Sequence, residues 1–118
     1  MSTPITVLVE LAVADGKADA FVEISRRGLE IVRSNEPGTL SFSQYFNDDR
    51  SVAISLETYA DSDALLAHMK NASADIRLVE DIATVVRTEI FGNVSDNVKS
   101  TFEAFSARIY QPISEYAR

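Results

Sequence analysis

Residues 39–59 read TLSFSQYFNDDRSVAISLETY, and this stretch decides the fold. From Thr39 to Asn47 the residues alternate, with Leu40, Phe42 and Phe46 on one side and Ser41, Ser43 and Tyr45 on the other. From Ser51 to Tyr59 they alternate again, with Val52, Ile54 and Leu56 set against Ala53, Ser55, Glu57 and Tyr59. A period of two gives a strand with two different faces. The turn chemistry lies between, in Asn47-Asp48-Asp49-Arg50. Two alternating strands around a short polar turn predict an antiparallel hairpin.

Working outward, residues 5–13 (ITVLVELAV) are β-branched and apolar and read as a strand that ends at Asp15-Gly16. From Lys17 to about Ser34 the period becomes helical. Phe21, Ile24, Gly28, Ile31 and Val32 fall on one face, with Glu23, Arg26, Arg27, Glu30 and Arg33 mostly opposite. Glu36-Pro37-Gly38 stops that helix. Beyond the hairpin, Asp61 or Ser62 caps a helix that runs to about Lys70. A second helical piece over 74–82 leads into a strand over 84–91 (TVVRTEIF), which Gly92 ends. Ser95 or Asp96 caps a last helix to about Ala107, with Val98, Phe102 and Phe105 inward. The tail RIYQPISEYAR carries Pro112 and reads as an arm or an edge strand.

The resulting order is β-α-β-β-α-β, followed by a helix and an arm. It predicts an α+β, ferredoxin-like antiparallel sheet with helices on one face. A chain of 118 residues suits a single domain, with its core in 5–92 and the extra helix and arm in 95–118.

The net charge of −7 argues against nucleic acid and against an anionic membrane surface, both of which need clustered Lys and Arg. With no cysteine there is no disulfide, thiolate nucleophile or zinc–cysteine site. One histidine cannot build a His-rich metal centre, so no metal site is expected. No run approaches a membrane span, and the N-terminus lacks the basic start of a signal peptide. The expected location is cytoplasmic.

Helices on one side leave the other side of the sheet to be explained. The strongly apolar sets, Val7, Val9 and Leu11, then Leu40 and Phe42, then Val52, Ile54 and Leu56, are expected beneath the helices. The far face would then carry Ser41, Ser43, Tyr45, Ser55, Glu57 and Tyr59. Two readings fit it. One is an ordinary antiparallel sheet facing water. The other is two sheets from two subunits packed around a small-molecule cavity, mostly apolar with a few polar groups aimed inward.

Several stretches resemble the antibiotic-biosynthesis-monooxygenase-like family, small dimeric α+β barrels that include cofactor-free quinol monooxygenases. They are Glu36-Pro37-Gly38-Thr39-Leu40 opening a strand that ends in Tyr45-Phe46, Glu57-Thr58-Tyr59-Ala60-Asp61 followed by Ala64 and Ala67-His68, and Arg87-Thr88-Glu89-Ile90-Phe91-Gly92. The resemblance covers roughly residues 5–92. It implies a homodimer formed by face-to-face sheets and oxidation of a small aromatic or quinol-type ligand by dioxygen without any cofactor. It further implies that His68 takes the phenolic proton and that Glu57 orients His68 or binds a substrate hydroxyl. Tyr45, Tyr59 and Ser43 would line the substrate site, and Arg87 would stabilise an oxyanion. Plainer roles exist for each. His68 could fill the helix–sheet seam beside Leu65 and Ala72, and Glu57 could pair with Arg87. Tyr45 and Tyr59 could be ordinary strand residues. Aromatic oxygenases and haem-degrading enzymes of the family often carry a pocket tryptophan, and this chain has none. A non-catalytic ligand-binding protein and an isomerase or cyclase on the same scaffold are the alternative functions.

Overall fold

The computed structural model describes residues 4–118. In chain order the elements are β1 (Ile5–Val13), α1 (Ala18–Asn35), β2 (Thr39–Phe46), β3 (Val52–Tyr59), α2 (Ser62–Asn71), α3 (Ser73–Glu80), β4 (Ala83–Phe91), α4 (Asp96–Glu103) and β5 (Arg108–Tyr110). The strands form one sheet in the order β2-β3-β1-β4-β5. Neighbours are antiparallel except β4 and β5, which run parallel. This is the expected α+β, ferredoxin-like plan, with the tail's edge strand added.

Local chemistry sets the boundaries. The β2–β3 turn closes when Asn47 Oδ1 accepts from the Val52 N–H, and Arg50 takes a left-handed φ of 60° there. Asp61 caps α2 by accepting from the Ala64 N–H at 2.8 Å, and Ser95 caps α4 through the Val98 N–H. The last helix ends at Glu103, short of the expected Ala107, because the chain turns out of it and Ser106 adopts a φ of 51°. At Gly38 a Cβ would lie 2.6 Å from Ala64 Cβ, so only glycine lets β2 begin this close to α2.

Register fixes which side chains share a face. On the helix-covered face Val7 pairs with Glu57, Val9 with Ser55 and Leu11 with Ala53, while across the hairpin Phe42 pairs with Glu57 and Gln44 with Ser55. On the open face Leu8 pairs with Leu56, Glu10 with Ile54 and Tyr45 with Ile54. The third strand is therefore turned over relative to the sequence expectation. Ala53, Ser55, Glu57 and Tyr59 are buried under the helices, and Val52, Ile54 and Leu56 lie on the uncovered side. Leu40 also leaves the helix side and is exposed, displaced by a register shift between Thr39 and Ser41.

Two packed clusters make the core. Ile5, Val7, Tyr59, Leu65, Ile90, Val98 and Phe102 form one, while Leu11, Val13, Phe21, Ala53 and Ala83 form the other. Val9 touches both. Among the described residues no helix is long and apolar enough to cross a membrane.

Candidate functional site

Turning β3 over puts polar side chains where a core strand would bury apolar ones. A cavity of about 230 Å³ lies between the sheet and α1, α2 and α3, lined by members of both core clusters. A cavity of roughly 150 Å³ is enough to hold benzene, so this one suits one or two fused rings. Its walls are mainly aliphatic and aromatic: Val7, Val9 and Leu11 below, Ile24, Ile31 and Met69 above, and Phe42 and Phe102 at the sides.

At one end His68 and Glu57 enter, both buried. His68 is held by Glu36, whose Oε1 lies 2.8 Å from Nδ1. A carboxylate only accepts, so Nδ1 carries the hydrogen and Nε2 is the free ring nitrogen. Nε2 makes no hydrogen bond among the described residues and is not shut off from solvent, and His68 lines the cavity. Glu36 is itself only 6% exposed. It also accepts from Thr39 Oγ1 at 2.9 Å and Asn71 Nδ2 at 3.3 Å. Phe42 and Tyr59 flank the imidazole, each with its ring centroid 5.4 Å away.

Glu57 forms a second couple. Its two oxygens accept from the Tyr59 hydroxyl at 2.5 Å and the Ser55 hydroxyl at 2.6 Å, all three residues standing on one side of β3. Burial, the adjoining Glu57 charge and the hydrogen bond to it hold the Tyr59 hydroxyl well above the ordinary tyrosine range. Tyr59 is thus a fixed neutral donor rather than a base.

The structure brings together three of the six residues singled out from the sequence: His68, Glu57 and Tyr59. Glu57 does not orient His68; that position belongs to Glu36. Ser43, Tyr45 and Arg87 lie on the opposite face of the sheet, and none of them lines the cavity. Arg87 is bound by Glu10 and Glu89, at 2.8 Å each, so it is not the partner of Glu57. Hydrogen bonding to Glu10 and the two neighbouring carboxylates raise the Arg87 pKa further.

Sequence reasoning passed over Glu36, which reads as part of a helix stop. There was a signal: a carboxylate at a helix C-terminus sits against the negative end of the helix dipole and needs another reason to be there. Among the described residues no group of three or more His, Cys, Asp or Glu is placed to hold a metal ion.

The family model described as antibiotic biosynthesis monooxygenase matches residues 4–75. No curated protein is similar in sequence at a meaningful level. Among solved structures, MupZ from Pseudomonas fluorescens superposes with a TM-score of 0.89 at 20% identity, over 98% of this chain and 95% of its own. Rv0793 from Mycobacterium tuberculosis gives 0.68 at 17% identity, over 80% of this chain and 98% of its own. A Nitrosomonas europaea protein provisionally named an antibiotic biosynthesis monooxygenase gives 0.68 at 21% identity, over 81% and 95%. At these identities the likeness shows the fold. The MupZ superposition extends past the family match and takes in α4 and the arm.

Proposed function

Because the chain belongs to the antibiotic biosynthesis monooxygenase family, we propose that it is a cofactor-independent monooxygenase-like enzyme. It oxidises a small aromatic or quinol-type molecule in the cavity between its sheet and its helices. The observation that carries the reading is His68, which lines an apolar cavity with its Nε2 free of hydrogen bonds among the described residues and is backed through Nδ1–H by the buried Glu36. In this reading Nε2 accepts a proton from a substrate hydroxyl, and Glu36 stabilises the imidazolium that results. Glu57, fixed by Ser55 and Tyr59, receives a second hydroxyl and sets the ring's orientation. The deprotonated ring supplies the electrons. One quinol and one dioxygen give one hydroxyquinone and one water, one oxygen atom entering the ring and the other leaving with two hydrogens.

The working unit in this proposal is a homodimer in the cytoplasm. The uncovered sheet face supports the dimer, for it exposes Leu56, Tyr45 and Phe91 beside Leu8 and Ile54. The apolar part of that face, with the Glu10–Arg87–Glu89 ion pairs beside it, resembles the core and polar rim of an interface between subunits.

Two buried couples, Glu36–His68 and Glu57–Tyr59, set His68 and Glu57 on one cavity and also favour a second reading. Such a pair can take a proton from one atom of a ligand and leave another beside a hydrogen-bond donor, as an isomerase or cyclase requires. Oxygen uptake separates the two. With 1,4-dihydroxynaphthalene, an enzyme of the first kind consumes one dioxygen per quinol faster than the uncatalysed background. Ligand binding without uptake would sink the oxygenase reading in favour of proton transfer or simple ligand binding.

A further inference from the structure

We propose that the cavity selects for apolar molecules of one or two rings that carry hydroxyl or ammonium donors, and selects against acids, with Glu57 as the residue that sets the preference. The inference rests on the proposed placement of the ligand in this cavity and adds the ligand's charge class.

Four carboxylates, Glu36, Glu57, Asp75 and Glu80, are among the lining residues, and no Lys or Arg is. Three of the four are accounted for. Glu36 accepts hydrogen bonds from three residues, His68, Thr39 and Asn71, Asp75 has Arg27 at 3.6 Å, and Glu80 is exposed to water. Glu57 is different. It is only 8% exposed, and among the described residues it has no cationic partner. Its two hydrogen bonds come from neutral hydroxyls. A buried carboxylate without a counter-charge favours a ligand that brings a cation or a donor, and repels another anion across a medium that screens poorly.

The donors beside Glu57 and His68 point the same way. The hydroxyls of Ser55 and Tyr59 are directed at Glu57, and the Nδ1–H of His68 at Glu36. What remains for a ligand at this end is chiefly acceptors, the spare lone pairs of Glu57 and Nε2 of His68, while the Thr88 hydroxyl and the Gln44 amide are the lining's donors without a partner among the described residues. A ligand carboxylate would meet this set with acceptors of its own and leave it unpaired, which is the costly arrangement.

Three probes of one skeleton test this on the full chain at neutral pH: 2-naphthalenemethanol, 2-naphthylmethylammonium and 2-naphthoate. Affinities come from calorimetry, and the imidazole NMR signal of His68, the one histidine, reports the site. The expected result is that the alcohol and the ammonium bind and move the His68 signal, while the naphthoate binds at least about tenfold more weakly. The Glu57→Gln variant should narrow the gap between ammonium and naphthoate; an unchanged gap in the folded variant contradicts the role given to Glu57. The wild-type comparison stands even if that variant does not fold. Naphthoate binding as tightly as the alcohol while moving the His68 signal overturns the charge preference and leaves the site reading intact. If none of the three moves that signal, the site reading itself fails and takes this inference with it.

Discussion

Glu36 and His68 stand 32 residues apart in the chain, and in the fold the carboxylate of one lies 2.8 Å from Nδ1 of the other. The contact ties the end of α1 to the last turn of α2 and gives the imidazole one orientation, leaving Nε2 as the ring nitrogen without a hydrogen bond among the described residues. Glu36→Gln keeps the shape and removes the charge. It should lower stability by about 1–3 kcal/mol, as expected for a buried hydrogen bond to a charged group. Thermal denaturation measures this, and an unchanged melting temperature would show that the pair contributes nothing.

His68→Ala should leave the fold intact, since the residue occupies the cavity wall rather than the centre of either core cluster. Turnover of the quinol should fall by about 10²–10⁴, the usual contribution of a positioned general base. Oxygen uptake and circular dichroism of the same preparation decide it. A folded variant with wild-type turnover removes histidine from the mechanism.

Tyr59→Phe takes away a donor and leaves Glu57 Oε1 unanswered, at a cost of about 1–3 kcal/mol. The pH dependence has a definite sign. The folded state holds the Tyr59 proton above the ordinary range, whereas an unfolded tyrosine loses it near pH 10. The unfolded chain thus binds fewer protons above about pH 10, and stability falls as pH rises, by up to about 1.4 kcal/mol per pH unit from this group. Denaturant melts between pH 8 and roughly 11 should show a steeper alkaline decline in the wild type than in the variant. Equal slopes would mean that Tyr59 is not held protonated.

Gly38→Ala should destabilise the chain by about 1–3 kcal/mol, because the new Cβ would lie 2.6 Å from Ala64 Cβ. Adding Ala64→Gly relieves the clash at about 1 kcal/mol of helix propensity. A double-mutant cycle should therefore show favourable coupling between the two substitutions; strict additivity would place the strain elsewhere.

Leu56→Asp places a charge at the centre of the uncovered sheet face without touching the cavity. Sedimentation should show a dimer for the wild type and a monomer for the variant at the same concentration. A wild-type chain that sediments as a monomer would contradict the proposed assembly.

Much of this fold could be read directly from the residues. The hairpin around Asn47–Ser51, the caps at Asp61 and Ser95 and the split β-α-β order all follow from local chemistry, which tertiary packing did not override. The side of the sheet to which β3 turns each of its sets did not follow. Both of its alternating sets sit in contact with other strands' apolar residues, so neither face reads as the one that meets water. Hydropathy alone chose Val52, Ile54 and Leu56 for the helix side, whereas the pairing of Val7 with Glu57 and Val9 with Ser55 requires the opposite. The same inversion explains the site. Glu57 and Tyr59 meet His68 because β3 buries its polar set, and Ser43, Tyr45 and Arg87 part from them because they belong to the other face. The tie from Glu36 to His68 joins distant segments, and only the packing of α1 against α3 and of α1 and α2 against β2 brings them together.

A crystal structure of the complex with 2-naphthol, a phenol that cannot turn over as a quinol does, tests the account most directly. It should place the ring between the sheet and the helices, against Phe42 and Val9, with its hydroxyl within hydrogen-bond reach of His68 Nε2. A ring lying instead on the uncovered face, against Tyr45 and Leu56 between two subunits, would contradict it.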